Sequence, residues 1–91
     1  MRRRFKWDPD KAAKNLRKHG VSFDDAVAVF TDEHAIDEPD VDPDEERFRI
    51  TGMSPAVGVL VVIYTERDRD RIRIISARKA TKHEVKTYRQ G

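Results

Sequence analysis

Cysteine is absent from the 91 residues. That removes disulfides, thiolate metal sites and a cysteine nucleophile. Glycine is scarce, and Gly20, Gly52, Gly58 and Gly91 stand isolated. Neither G-x-G-x-x-G nor G-x-x-x-x-G-K-[ST] can be built from them, so no phosphate-cradling loop is expected and a nucleoside-triphosphate-dependent enzyme is disfavoured. A G-x-S-x-G elbow is missing too, which leaves a serine hydrolase without support. No apolar run reaches the roughly 18 residues of a membrane span. The longest, Ala56 to Tyr64, is strand-sized. Met1-Arg2-Arg3-Arg4 is positive but has no hydrophobic stretch behind it, so it does not read as a secretory signal. A soluble, cytoplasmic domain spanning 1–91 is expected, without membrane contact and held by packing and hydrogen bonds alone.

Charge is what the chain has in abundance. Asp, Glu, Lys and Arg make up 40% of it, against about 25% in ordinary domains. The net charge of +2 hides a segregation. Residues 1–23 carry +6, residues 24–46 carry −11 with no Lys or Arg at all, and residues 47–91 carry +7. Asymmetry of this kind points to a polyanion or a charged protein as partner.

Local signals give the element order. Phe5-Lys6-Trp7 is a candidate short strand. Asp8-Pro9 opens a helix, because Asp8 can accept from first-turn N–H groups and Pro9 loses no hydrogen bond there. Gly20 closes that helix as a left-handed cap. Ser22 starts a second, short helix with Phe23, Ala26, Val27 and Phe30 at helical spacing. Residues 32–46 read as an acidic connection with an extended stretch near Ala35 to Glu38. Arg47 to Met53 alternates, Val57 to Thr65 is continuously apolar, and Arg71 to Ala77 alternates again, giving three strands with hairpin-length links. Thr81 caps a last helix running through Tyr88, with Glu84 completing a capping box. The expected fold class is α+β. It is a two-layer sandwich of an antiparallel sheet of about four strands, with two N-terminal helices and one C-terminal helix on one face.

The candidate chemistry centres on Arg69 to Arg78. Period two places Arg69, Arg71, Arg73, Ile75 and Ala77 on one face, with Asp70, Ile72, Ile74 and Ser76 on the other. Alternate arginines then lie about 6.6 Å apart, from a rise of about 3.3 Å per residue. That is comparable to the phosphate repeat along a nucleic-acid strand. Arg78, Lys79, Lys82 and Lys86 extend the surface, and Arg47 and Arg49 are available from a neighbouring strand. The competing account is a solvated face paired with Glu66, Asp68 and Asp70. Trp7, Tyr64 and Tyr88 either stack bases or fill the core. The run Asp40 to Glu46 fails as a calcium loop: Glu45 takes the place of the required glycine, Thr51 that of the last glutamate, and Pro43 interrupts it. His19, His34 and His83 are too dispersed to pair as zinc ligands, so neither a metal nor another cofactor is expected. His19 either serves chemistry or merely meets the last carbonyls of the first helix. Metal-free RNA cleavage needs a base for the 2′-hydroxyl, cations for the phosphate and an acid for the leaving oxygen. All three residue types are present.

The string from Phe5 to Phe23, with Trp7, Asp8, Lys11, Asn15, Lys18 and His19, resembles the opening of the BrnT family. So does Arg71-Ile72-Arg73-Ile74-Ile75-Ser76-Ala77-Arg78-Lys79-Ala80-Thr81, followed by Glu84 and Tyr88. The resemblance runs from about residue 5 to residue 88. It implies a RelE-like fold and a ribonuclease toxin of a type II toxin–antitoxin module. It also implies a ribbon-helix-helix antitoxin, BrnA, in a two-plus-two assembly that represses its own operon by binding operator DNA. On residue type, His19 or Glu66 is the base, and His83 or Tyr88 the acid. Arg71, Arg73 and Arg78 hold phosphate, and Lys11, Lys18, Lys79 and Lys82 add RNA contacts. A reading from another class is a non-catalytic module whose basic sheet binds nucleic acid or an acidic protein.

Overall fold

The first helix forms where its caps dictate. In the computed structural model, which describes residues 3–68 and 70–91, α1 (Pro9–His19) starts at Asp8, whose carboxylate accepts from the Asp10 N–H at 2.9 Å. It ends at Gly20, φ 69°, whose N–H donates to the Leu16 carbonyl. Ser22 caps α2 (Phe23–Val27), which runs into a 3₁₀ turn at Ala28–Thr31. The capping box at Thr81 and Glu84 is present and opens α3 (Lys82–Gln90).

Five strands form one sheet: β1 (Arg4–Lys6), β2 (Ile36–Asp40), β3 (Arg47–Ser54), β4 (Gly58–Arg67) and β5 (Arg71–Lys79). Their order is β1-β5-β4-β3-β2. The α+β class is as expected. The sheet has five strands rather than about four, and it is mixed, because β1 runs parallel to β5 while the other pairs are antiparallel. A parallel edge joins segments far apart in sequence, and no local turn signal reports it.

One sheet face carries the core. Phe5, Phe48, Ile50, Leu60, Val62, Tyr64, Ile72, Ile74 and Ala77 pack under Val21, Phe23, Ala26, Val29 and Phe30. Tyr64 sits at its centre, 2% exposed, edge-on to Phe30 and stacked on Phe48. Gly52 lets the 3₁₀ turn approach: a Cβ there would meet Val29 Cγ1 at 2.8 Å and Ala35 Cβ at 3.0 Å.

The expectation that all helices gather on one face fails for α3. His83, Glu84 and Thr87 share a cleft with Ile36, Glu38, Arg49 and Thr51. By register those strand residues belong to the face opposite Ile50 and Tyr64.

The expected faces of β5 also change. Tyr64 opposes Ile74, but Ile63 opposes Ser76, so Ile75 is an extra residue in β5. Such a bulge reverses the alternation. Ala77 therefore joins Ile72 and Ile74 in the core, while Ser76 and Arg78 turn to the side of Arg71 and Arg73. Arg69 lies outside the described residues, as does Arg2 of the N-terminal run.

Candidate nucleic-acid interface

The outer face of the sheet is built by pairing. Arg71 opposes Arg67 on β4 and Arg4 on β1, and Arg73 opposes Thr65 and Lys6. Neighbouring strands are about 4.8 Å apart, so Arg4, Lys6, Arg67, Arg71 and Arg73 form one cluster. All five are exposed. Lys6, Trp7, Arg67, Arg71, Ile72 and Arg73 line a cleft of about 330 Å³.

That cleft continues toward α1. Arg67 and Arg73 also border a second hollow of about 320 Å³, shared with Lys11, Thr65, Glu66 and Ile75. Lys11 and Ile75 in turn border a third, of about 300 Å³, with Lys14, Lys18, His19 and Ser76. Six of the anticipated residues (Lys11, Lys18, His19, Glu66, Arg71 and Arg73) thus lie along one continuous band. Glu66 belongs by register to the face of Tyr64 and Ile72, but at the exposed strand end it borders the hollow.

Asn15 holds α1 against this band. It is 7% exposed. Its Nδ2 donates to the carbonyls of Ala77 at 2.8 Å and Val21 at 3.0 Å, and its Oδ1 accepts from the Ala77 N–H at 3.1 Å. β1 pairs only with Arg71 to Arg73, so beyond that point the Asn15 amide takes the place of a neighbouring strand at Ala77.

The other anticipated residues go elsewhere. Arg78 forms a two-pronged ion pair with Glu84, at 2.7 and 3.0 Å. The Arg78 guanidinium brings the Glu84 carboxyl down to about 2 against the opposing effect of burial, with help from the Thr81 N–H. The same pair raises Arg78 above its ordinary range. The expected phosphate holder therefore clamps β5 to α3. His83 borders the α3 cleft instead of the cation band. The Tyr88 hydroxyl donates to Asp32, which raises its pKa, with burial adding to the effect. Burial pushes the Asp32 carboxyl up, but hydrogen bonds from Tyr88 and from the Met53 and His34 N–H groups win, leaving it below its ordinary range. Lys79 belongs by register to the face of Leu60, and Lys82 is exposed at the start of α3.

Four of the eleven carboxylates of the acidic segment meet the chain's own arginines. Arg47 lies within 4.0 Å of Asp40, Asp42 and Glu45, and Arg49 pairs with Glu38 at 2.8 Å. The Tyr64 hydroxyl donates to Asp37 at 2.6 Å, and burial together with that carboxylate raises the Tyr64 pKa well above its ordinary value. Only Glu45 and Glu46 reach the hollow that Arg73 lines. Arg71 and Arg78 lie beyond that hollow.

Sequence reading missed Lys6, Lys14, Arg67 and Thr65. Arg67 looked like hairpin but extends β4, and Lys6 reaches Arg73 only through the parallel β1–β5 pairing. Among the described residues, no three His, Cys, Asp or Glu side chains are grouped to hold a metal. No helix among them is long and apolar enough to cross a membrane.

The fold and its outer face define a small α+β domain with an open cationic band flanked by a helix. A family profile described as "Ribonuclease toxin, BrnT, of type II toxin-antitoxin system" matches residues 7–84, and the chain belongs to that family. The fold is similar to the crystal structure of the Brucella abortus ribonuclease toxin, BrnT. The TM-score is 0.71 at 26% identity, over 88% of this chain and 99% of that one. A search of curated proteins by sequence returns no match.

Proposed function

We propose that this chain is a cytoplasmic endoribonuclease toxin that cleaves RNA without a metal, at the band between α1 and β5. The observation that carries the reading is the division among its cations. Arg47, Arg49 and Arg78 have close carboxylate partners, whereas among the described residues Lys6, Lys11, Arg67 and Arg73 have none. Arg71 has only a loose one, Asp68 at 3.9 Å. Unpaired guanidiniums on an open face suit phosphate, which they can grip with two parallel bonds.

In this reading Arg71 and Arg73 hold the scissile phosphate, and Lys11 and Lys18 hold its neighbours. Glu66 takes the proton from the ribose 2′-hydroxyl. The 2′-oxygen attacks phosphorus, the bond to the 5′-oxygen breaks, and water in the open cleft supplies the proton to that leaving group, while His19 lies with Lys18 in the adjoining hollow and contacts the RNA beside the scissile bond. The products are a 2′,3′-cyclic phosphate and a free 5′-hydroxyl. His83 and Tyr88, anticipated as acids, border other parts of the molecule, and the hydroxyl of Tyr88 is held by Asp32. Arg78 acts here as a structural clamp.

The partner in this reading is a BrnA-like ribbon-helix-helix antitoxin in a two-plus-two complex that binds operator DNA. Cleavage of an RNA oligonucleotide in excess chelator, with and without ribosomes, tests the activity. Co-expression with the short frame neighbouring the gene tests the partner. Harmless expression and intact RNA, with binding retained, would favour the non-catalytic module.

A further inference from the structure

Trp7 stands where the cation cleft meets the core. It follows β1, so the parallel pairing of β1 with β5 carries it to the wall of the 330 Å³ cleft lined by Lys6, Arg67, Arg71, Ile72 and Arg73. Its indole packs edge-on against the buried Phe23, with centroids 5.8 Å apart and planes at 82°. A ring anchored in this way keeps its orientation, and the ring is only partly buried. Its neighbours in the cleft are Ile72 and four cations; among the described residues Arg71 has one ion-pair partner, Asp68 at 3.9 Å, and Glu45, Glu46 and Glu66 lie on the far side of Arg67 and Arg73, in the adjoining hollow. An aromatic wall beside a phosphate-binding set is how single-stranded nucleic acid is held when its bases are unpaired.

We infer that this cleft is a nucleotide subsite, in which one unpaired base of the RNA stacks on Trp7 while its phosphate lies among Arg67, Arg71 and Arg73. The inference rests on the RNA reading above and adds what that reading leaves open: the enzyme takes an unstacked nucleotide beside the scissile bond. It therefore selects single-stranded over duplex RNA. Tyr64 and Tyr88, the other candidates for stacking, are excluded by their positions. Tyr64 is buried in the core, and the hydroxyl of Tyr88 is tied to Asp32 at the far end of the sheet.

Trp7 is the single tryptophan of the chain, so its fluorescence reports the subsite directly. The purified chain is titrated with adenosine and guanosine 5′-monophosphates, and in parallel with ribose 5-phosphate. The nucleotides are expected to quench saturably. Ribose 5-phosphate is expected to compete with them without quenching. Arg71→Ala should weaken nucleotide binding about tenfold. Trp7→Leu should weaken binding of a labelled single-stranded oligonucleotide about tenfold, while leaving ribose 5-phosphate affinity unchanged. Absence of saturable quenching, or equal quenching by ribose 5-phosphate, would overturn the subsite. If quenching fails while RNA is still cut, the subsite is wrong and the ribonuclease reading stands. If quenching holds but RNA stays intact, the subsite stands and the ribonuclease reading falls.

Discussion

Single side chains decide whether this fold closes. Asn15 satisfies two buried carbonyls and one buried N–H at once. Asn15→Ala leaves all three without their amide partner beneath the hollow that Asn15 lines, so a loss of about 2–3 kcal/mol is expected from urea unfolding. A loss under about 1 kcal/mol would mean that water replaces the amide. Glu84 gives a pH signature. Its carboxyl titrates near 2 in the folded chain against an ordinary 4.5. A depressed acid stabilises the fold above its unfolded pKa, and that contribution fades as pH falls toward the folded one. Glu84→Gln should therefore cost about 1 kcal/mol at neutral pH, the pair being partly exposed. The difference from the unmodified chain should shrink between about pH 4.5 and 2. A difference independent of pH would remove the ion pair from the account. Residue-level reading anticipated the caps at Asp8, Gly20, Ser22 and Thr81, because each is a local hydrogen-bond problem. It could not anticipate that Arg78 spends its guanidinium on Glu84, since Glu84 was assigned to the capping box with Thr81 and Arg78 to phosphate.

Elements are placed by contacts that local sequence does not encode. The three long strands were legible from alternation and continuity, and the unbroken apolar run of β4 matches the burial of Leu60, Val61 and Val62 on both of its faces. Two things were not legible. The bulge at Ile75 switches the face of Ser76, Ala77 and Arg78, and no glycine marks it. The parallel β1–β5 edge brings Lys6 and Trp7 to Arg71 and Arg73 across most of the chain length. The candidate site was therefore half visible: the arginine stripe and Lys11, Lys18 and His19 of α1 could be named, but not the β1 wall that adds Lys6 and Trp7. Where the 3₁₀ turn meets β3, space is the constraint. Gly52→Ala would push a methyl into Val29 and Ala35. A destabilisation of about 1–3 kcal/mol by thermal or urea melting is expected; an unchanged melt would show that the turn can retreat.

At the scale of the whole molecule, the +2 total is the residue of two faces that differ. The acidic third largely neutralises Arg47 and Arg49, which leaves the β1–β5–β4 end and α1 as the positive surface. RNA bound there displaces counterions. With four or five phosphate contacts, the slope of log affinity against log salt should be about −3 for single strands. Combining Arg71→Ala with Arg73→Ala should make it shallower by about 1.4. An unchanged slope would place the RNA elsewhere. In the proposed reading the α1–β5 band is where RNA is cut. The direct measurement is the cleavage rate of a single-stranded oligonucleotide by purified Arg73→Ala, with circular dichroism confirming its fold and Arg89→Ala, at the exposed end of α3, as control. Arg73→Ala should lose at least about tenfold, the contribution of one charge-assisted phosphate contact, and Arg89→Ala should keep full activity. Full activity in Arg73→Ala would contradict that reading.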